Sequence, residues 1–192
     1  MINTKTLKMQ CQLGFEHGVD WYARANRTLI ELAELCQVSN SEMAILLAGY
    51  SPRVSVLRSV KLAIEYTQTG QRPAGSMRSV HKSTMLGLER GFLNGPKTEN
   101  FRQALLGVGD ALVLDVWACR GLAVDQSKAY QKRFFPRIRR RFESVAESFG
   151  ISVAQTQACQ WSGVMKAHGR NDLDLLNKPT NQVFESVVNA LP

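Results

Sequence analysis

The sequence predicts an all-α protein, a helical bundle, and three observations lead there. Apolar residues recur three and four apart nearly everywhere along the 192 residues, helix start and stop signals bracket several of these runs, and 44% apolar side chains suffice for one sizeable core. Tyr22, Ala25, Leu29, Leu32 and Ala33 line the face of an early helix, and Val54, Leu57, Val60 and Ile64 that of another. Ser51 followed by Pro52 fits an N-cap and a proline at the first helical position, so this second helix is expected to start there and to run to about Gln68. TGQRPAGS, residues 69–76, reads as a loop and as a hinge. The expectation is one compact helical unit, 1–192, with a division available at that hinge into lobes 1–70 and 76–192.

Beyond the loop, a helix near Val80–Phe92 meets the tight turn Asn94-Gly95-Pro96, and a further helix from Lys97 carries Phe101, Ala104 and Leu105 on one face. That is a helix-hairpin-helix over about residues 80–106. After Gly107–Asp110, the short apolar stretch Ala111–Leu114 reads as an extended segment, and a helix beginning near Asp115 puts an aspartate at its N-terminus. Ile138, Phe142, Val145, Ala146 and Phe149 form one stripe of a helix whose other side gathers Arg133, Arg137, Arg140 and Arg141. Gly150 ends it, Ala154, Ala158, Trp161 and Met165 mark the next helix, and the tail from Asn171 carries a last, weakly amphipathic one around Gln182–Leu191.

Twenty-four Lys and Arg against 16 Asp and Glu give a net charge of +8, which favours a polyanionic partner, DNA first, through attraction and counterion release. The excess is concentrated: Lys97 to Arg141 holds ten Lys or Arg against Glu99, Asp110, Asp115 and Asp125. Cys11, Cys36, Cys119 and Cys159 are scattered and His17, His81 and His168 isolated, so zinc-site spacings are missing; neither metal nor cofactor is expected, and the thiols read as buried and reduced. No window has the apolar length of a signal peptide or a membrane span, so the expected setting is cytoplasmic, the nucleoid or a phage-infected cell. Oligomeric state is not legible.

A hairpin between helices points backbone N–H groups outward and, with the positive end of the following helix dipole, makes a phosphate cradle that reads no sequence. LNGPKTENFRQALLGVGDALVLDVWACRGL (93–122) resembles the core signature of the helix-hairpin-helix, endonuclease III-like DNA glycosylase superfamily. There a glycine-containing hairpin is followed closely by a lysine, 18 residues later by an aspartate in a V-D-T-H-like context, and five further by an arginine. In this chain Gly95 precedes Lys97, Asp115 lies 18 residues on in LDVW, and Arg120 is five beyond. The segments LLAGYSPRVSV (46–56), GPKTENF (95–101), LDVWACRGL (114–122) and QACQW (157–161) look similar to a poorly characterised phage- and plasmid-associated group within the same superfamily. The hairpin is shorter than the usual form, Trp117 stands where a histidine is customary, and no four-cysteine iron–sulfur loop is present.

The resemblance implies a base-excision enzyme that flips its target nucleotide out of the stack. Lys97 would attack C1′ as the base leaves and form a Schiff base, while Asp115 would stabilise the oxocarbenium-like sugar or activate the nucleophile. Asn94, Gly95, Pro96, Arg102, Arg133, Arg137, Arg140 and Arg141 would hold phosphates; Tyr50, Ser51, Arg53, Gln157, Gln160 and Trp161 would line a base pocket. Alternatives stay open at this level. Lys97 as a phosphate contact and Asp115 as a plain helix cap describe a non-catalytic DNA-binding accessory protein, and a base-hypermodification enzyme on the same scaffold is a third reading. A rival register takes Leu106-Gly107-Val108-Gly109 as the hairpin and Asp125 as the acid, with Tyr130 at the arginine position.

Overall fold

A computed structural model describes residues 3–170, 176 and 178–191. Among these the protein is all-helical, with no strand: α1 (Thr4–Gly18), α2 (Trp21–Cys36), α3 (Asn40–Gly49), α4 (Val56–Thr69), α5 (Arg78–Arg90), α6 (Pro96–Leu105), α7 (Val116–Gly121), α8 (Gln126–Ala129), α9 (Phe135–Phe149), α10 (Val153–Ala167) and α11 (Thr180–Val188). The chain divides into two compact units, Met1–Arg24 with Gly107–Leu173, and Ala25–Leu106 with Asp174–Pro192.

The first unit is built on α10, which packs against α1, α7 and α9. Ser152 and Gln155 close a capping box at its start, and its residues from Val153 to Met165 are almost all buried. α1 and α10 cross at backbone contact because glycines face each other: a Cβ on Gly14 would strike the Cys159 carbonyl and the Gly163 nitrogen, and one on Gly163 would strike the Gln10 carbonyl. The stripe foreseen on α9 is present, with Ile138, Phe142, Val145 and Ala146 in one cluster with Leu7, Cys11, Leu112 and Leu114. Ala111–Leu114 is buried and belongs to neither a helix nor a strand. Without helix or sheet partners its polar groups need others, and the Tyr130 hydroxyl accepts from the Leu114 N–H (2.7 Å) while donating to the Leu112 carbonyl (3.1 Å).

In the second unit α3 is central, buried from Met43 to Gly49, and packs on α4, α5 and α6, while α11 packs on α4. Gly49 faces Thr84 of α5, and Gly87 faces Ile45 and Leu93. The start of α4 corrects the sequence reading. Its N-cap is Ser55, whose Oγ accepts from the Arg58 N–H, so Ser51 and Pro52 lie in the turn before it and Val54 is exposed. The turn is bent by Arg53, which adopts a left-handed φ of 63°; that conformation is costly for a residue with a Cβ. The last helix is α11, Thr180–Val188; Asn171, where the sequence reading begins its tail, lies outside the described residues.

Burial leaves a titration signature in the first unit. It pushes the Cys119 and Cys159 thiols up from 9.0 to about 12, helped by Asp115 and Asp125 for the former and Asp20 for the latter, and it shifts Cys11, Tyr22 and Tyr130 in the same sense. Groups whose folded pKa is raised favour the fold while protonated, so their contribution is complete below pH 9.0 and is lost as pH rises towards 12. Urea midpoints measured from pH 7 to 12 are expected to be level up to about 9 and then to fall steeply; a midpoint unchanged at the alkaline end would contradict the burial of these groups.

Candidate functional site

α5 ends on Gly91, left-handed with φ 77°, and α6 starts after the N-cap Gly95 with Pro96 in its first turn. The connection 91–95 is therefore a tight turn between two helices, both of which pack on α3. Leu93 is buried and its N–H donates to the Glu99 carboxylate (2.8 Å), which pins the turn to the first turn of α6. Asn94 is exposed. Leu106–Gly109, the rival hairpin, is followed by the non-helical stretch 111–114, so it does not join two helices.

Lys97, in the first turn of α6, donates from Nζ to Ser51 Oγ at 2.7 Å. Ser51 in turn donates to the Ala48 carbonyl at 2.8 Å, and the lysine ammonium lies 5.5 Å from the centroid of the Phe101 ring one turn on. Two residues that sequence reasoning chose separately, 46 positions apart, are thus in contact. Ser51 is 8% exposed, and a buried hydroxyl that receives a lysine proton fixes the amine's position far better than solvent would. Tyr50 and Arg53 flank it in the chain with different fates. Tyr50 is wholly buried, its hydroxyl 2.8 Å from His81 Nδ1 and its ring stacked on the imidazole, so the structure seats it in the core and not on a pocket wall; Arg53 is exposed.

Asp115 belongs to the other unit. It is the N-cap of α7, extended in φ and ψ, with Oδ1 accepting from the Ala118 N–H at 2.7 Å. Its charge is felt by its surroundings: after burial itself, Asp115 is what disfavours ionisation of Tyr22 and Cys119, and it adds to the same effect at Tyr130. A carboxylate placed so near groups held neutral adds negative potential to this part of the unit. Gln160 reaches the same residue, donating from Nε2 to the Ala118 carbonyl (3.3 Å) and to Gln10 Oε1 (3.1 Å). Gln157 accepts from the Tyr22 hydroxyl at 2.8 Å, and Trp161 is half-buried, edge-on to Trp21. Gln157 and Gln160 are 3% and 0% exposed, so both serve inside the unit rather than on an open wall.

The phosphate contacts expected from the sequence separate as well. Arg102 is held against Glu99 through two bonds (2.9 and 2.7 Å) with its side chain 14% exposed, so it orders α6 and is not offered to a strand. Arg133, Arg137 and Arg140 are exposed, and Arg141 is half-buried. Arg139, between them, pairs with Glu143 and reaches Asp110. Two features escaped sequence reasoning. Phe92, in the 91–95 turn directly after Gly91, is 47% exposed, and Trp117, Arg120 and His168 form a surface cluster. For the first, the available signal was an aromatic residue at the end of the helix expected over Val80–Phe92, two positions before the predicted turn; the second depends on tertiary packing.

Among the described residues no helix is long and apolar enough to cross a membrane, and no three His, Cys, Asp or Glu side chains converge as a metal ion requires. No curated protein and no solved structure matches the chain. A family model does match, over residues 9–169, which takes in the α5–α6 turn, Ser51, Lys97 and Asp115 alike; the chain belongs to the family of unknown function DUF7178.

Proposed function

We propose that this protein is a DNA glycosylase-like enzyme that releases a modified or damaged base. The single observation that carries the reading is the Lys97–Ser51 bond at the head of α6: an amine fixed by a buried hydroxyl, directly after a tight turn between two helices. The turn and α6 act as the helix-hairpin-helix that grips a phosphate, with α6 capped by no side chain, so that its first N–H groups and dipole face the anion. Lys97 then supplies the nucleophile. Its nitrogen, after the ammonium has lost a proton to solvent, bonds C1′ as the glycosidic bond breaks; the base leaves with the bonding pair and takes a proton from that nitrogen, and protonation of the ring oxygen by water opens the sugar to the protonated Schiff base. For Asp115 it is the family resemblance that assigns a role, the negative charge that the oxocarbenium-like sugar calls for. The exposed Phe92 at the turn is an apolar wedge for the gap left by the extruded nucleotide.

The test is to incubate the protein with oligonucleotides bearing damaged or modified bases, and with hypermodified phage DNA, under borohydride. A covalent adduct is expected, absent in Lys97→Gln and formed about 10- to 100-fold more slowly in Ser51→Ala, since a loosely held nucleophile forfeits orientation. DNA binding across the panel with neither base release nor adduct would sink the reading.

A second reading, a DNA-binding module without chemistry, is favoured by the exposed arginines of and before α9, which grip phosphates whatever happens at Lys97. Both readings share an expectation. Removing Arg137 and Arg140 together is expected to flatten the slope of log affinity against log salt by about 1.8, about 0.9 for each phosphate of the duplex that is no longer neutralised. An unchanged slope in a titration from 50 to 200 mM salt, a range of about fourfold, would place the strand elsewhere.

A further inference from the structure

Trp117, Arg120 and His168 make an exposed aromatic and cationic cluster that the chemistry above does not use. Trp117 lies in the first turn of α7, two residues after Asp115, and Arg120 lays its guanidinium over the indole with its carbon 4.5 Å from the ring centroid. His168, at the C-terminal end of α10, meets the same ring at 68° with centroids 5.5 Å apart. Its Nδ1 is 2.8 Å from the Val164 carbonyl; a carbonyl only accepts, so Nδ1 carries the proton and the imidazole is oriented by its own helix. Arg120 and His168 are exposed and Trp117 is half-buried, with Val116 beside it 45% exposed. α7 and α10 contain no acidic residue between Val116 and Gly121 or between Val153 and Ala167, so Asp115, the cap, is the acid of these two elements nearest the cluster.

An arginine that carries its planar guanidinium over an indole is positioned before any ligand arrives, with one side against the ring and, in an exposed side chain, room for a second π face on the other. A phosphate contact needs no such plane, only charge. A nucleobase does use it: bases stack on aromatic rings and on guanidinium planes, and a cation between two π faces gains from both while still neutralising the strand. We infer that the Trp117–Arg120 stack, edged by His168, is a platform for one unpaired nucleobase of a DNA strand, which lies on the outward face of the Arg120 guanidinium. The inference rests on DNA as the partner, but not on base excision. Its place on the helix that Asp115 caps puts the platform beside the carboxylate.

The experiment compares binding by the full chain of two labelled duplexes of one sequence, one perfectly paired and one with a single bulged adenine, by fluorescence anisotropy. Wild type is expected to prefer the bulge. Arg120→Lys keeps the charge and loses the plane, so its affinity for the paired duplex stays and its preference for the bulge falls about tenfold. Trp117→Ala is expected to show the same fall, and the exposed Arg120→Lys decides the matter should the tryptophan variant fail to fold. No bulge preference in wild type, or an Arg120→Lys variant that keeps it or weakens both duplexes alike, overturns the platform. Base release is scored separately: a bulge preference that depends on Arg120 in a protein that excises nothing leaves the platform standing and removes the glycosylase reading.

Discussion

Gly163→Val is expected to abolish folding of the unit built on α1 and α10, and Gly163→Ala to cost about 2–4 kcal/mol. The added Cβ does not meet a side chain that can rotate away. It meets the Gln10 carbonyl of α1, and Gly14 on the facing helix is itself closed in by the Cys159 carbonyl and the Gly163 nitrogen. The helices must part along their length, and separating them loosens the packing of Leu7 and Cys11, which are fully buried. Alanine regains about 1 kcal/mol of helix propensity over glycine, which offsets only part of the overpacking. Against a total stability of about 5–15 kcal/mol the loss is large. Urea melts followed by tryptophan fluorescence report it through the Trp21–Trp161 pair of the same unit. A Gly163→Ala midpoint within error of wild type would mean that the two backbones do not touch.

Asp115 separates cap from chemistry by the choice of replacement. Asparagine is as good an N-cap as aspartate, whereas alanine forfeits the bond to the Ala118 N–H and costs about 1 kcal/mol. Stability is therefore expected to order as wild type close to Asp115→Asn and above Asp115→Ala. Activity is expected to divide differently: both variants lose the carboxylate charge, and both should release base about 10²–10³-fold more slowly in single-turnover assays. Full activity in Asp115→Asn would reduce the residue to a cap. The same variant carries an internal control, because the Cys119 thiol, held up to about 12 by burial first and then by Asp115, should titrate lower once that charge is gone.

The all-α class, the α9 stripe, the turn before Lys97 and the capping aspartate were legible because each is written in local spacing, whereas α1, α3 and α8 had no helix assigned to them. The boundary before α4 was misread for a local reason too. Ser51-Pro52 and Ser55 both satisfy the cap pattern, and only the left-handed Arg53 and the Ser51 bond to Ala48 decide for the later serine. Arg102 illustrates a signal present and not used: Glu99 stands three residues earlier, on the same helix face, and claims the guanidinium. The Lys97–Ser51 bond and the burial of Tyr50, Gln157 and Gln160 were out of reach, since they depend on which helices α3 and α10 pack against rather than on any spacing along the chain.

The glycine crossing of α1 and α10 also sets an order of events during synthesis. α1 leaves the ribosome well before α10, for its partner glycine is added about 150 residues later, which at ordinary elongation rates means roughly 7–30 s. Through that interval Leu7 and Cys11 have no core to enter, whereas α3, α4, α5 and α6 emerge in succession and find one another as they appear. The nascent chain is thus most vulnerable at α1, and a chaperone that holds this helix would shield the segment that waits longest.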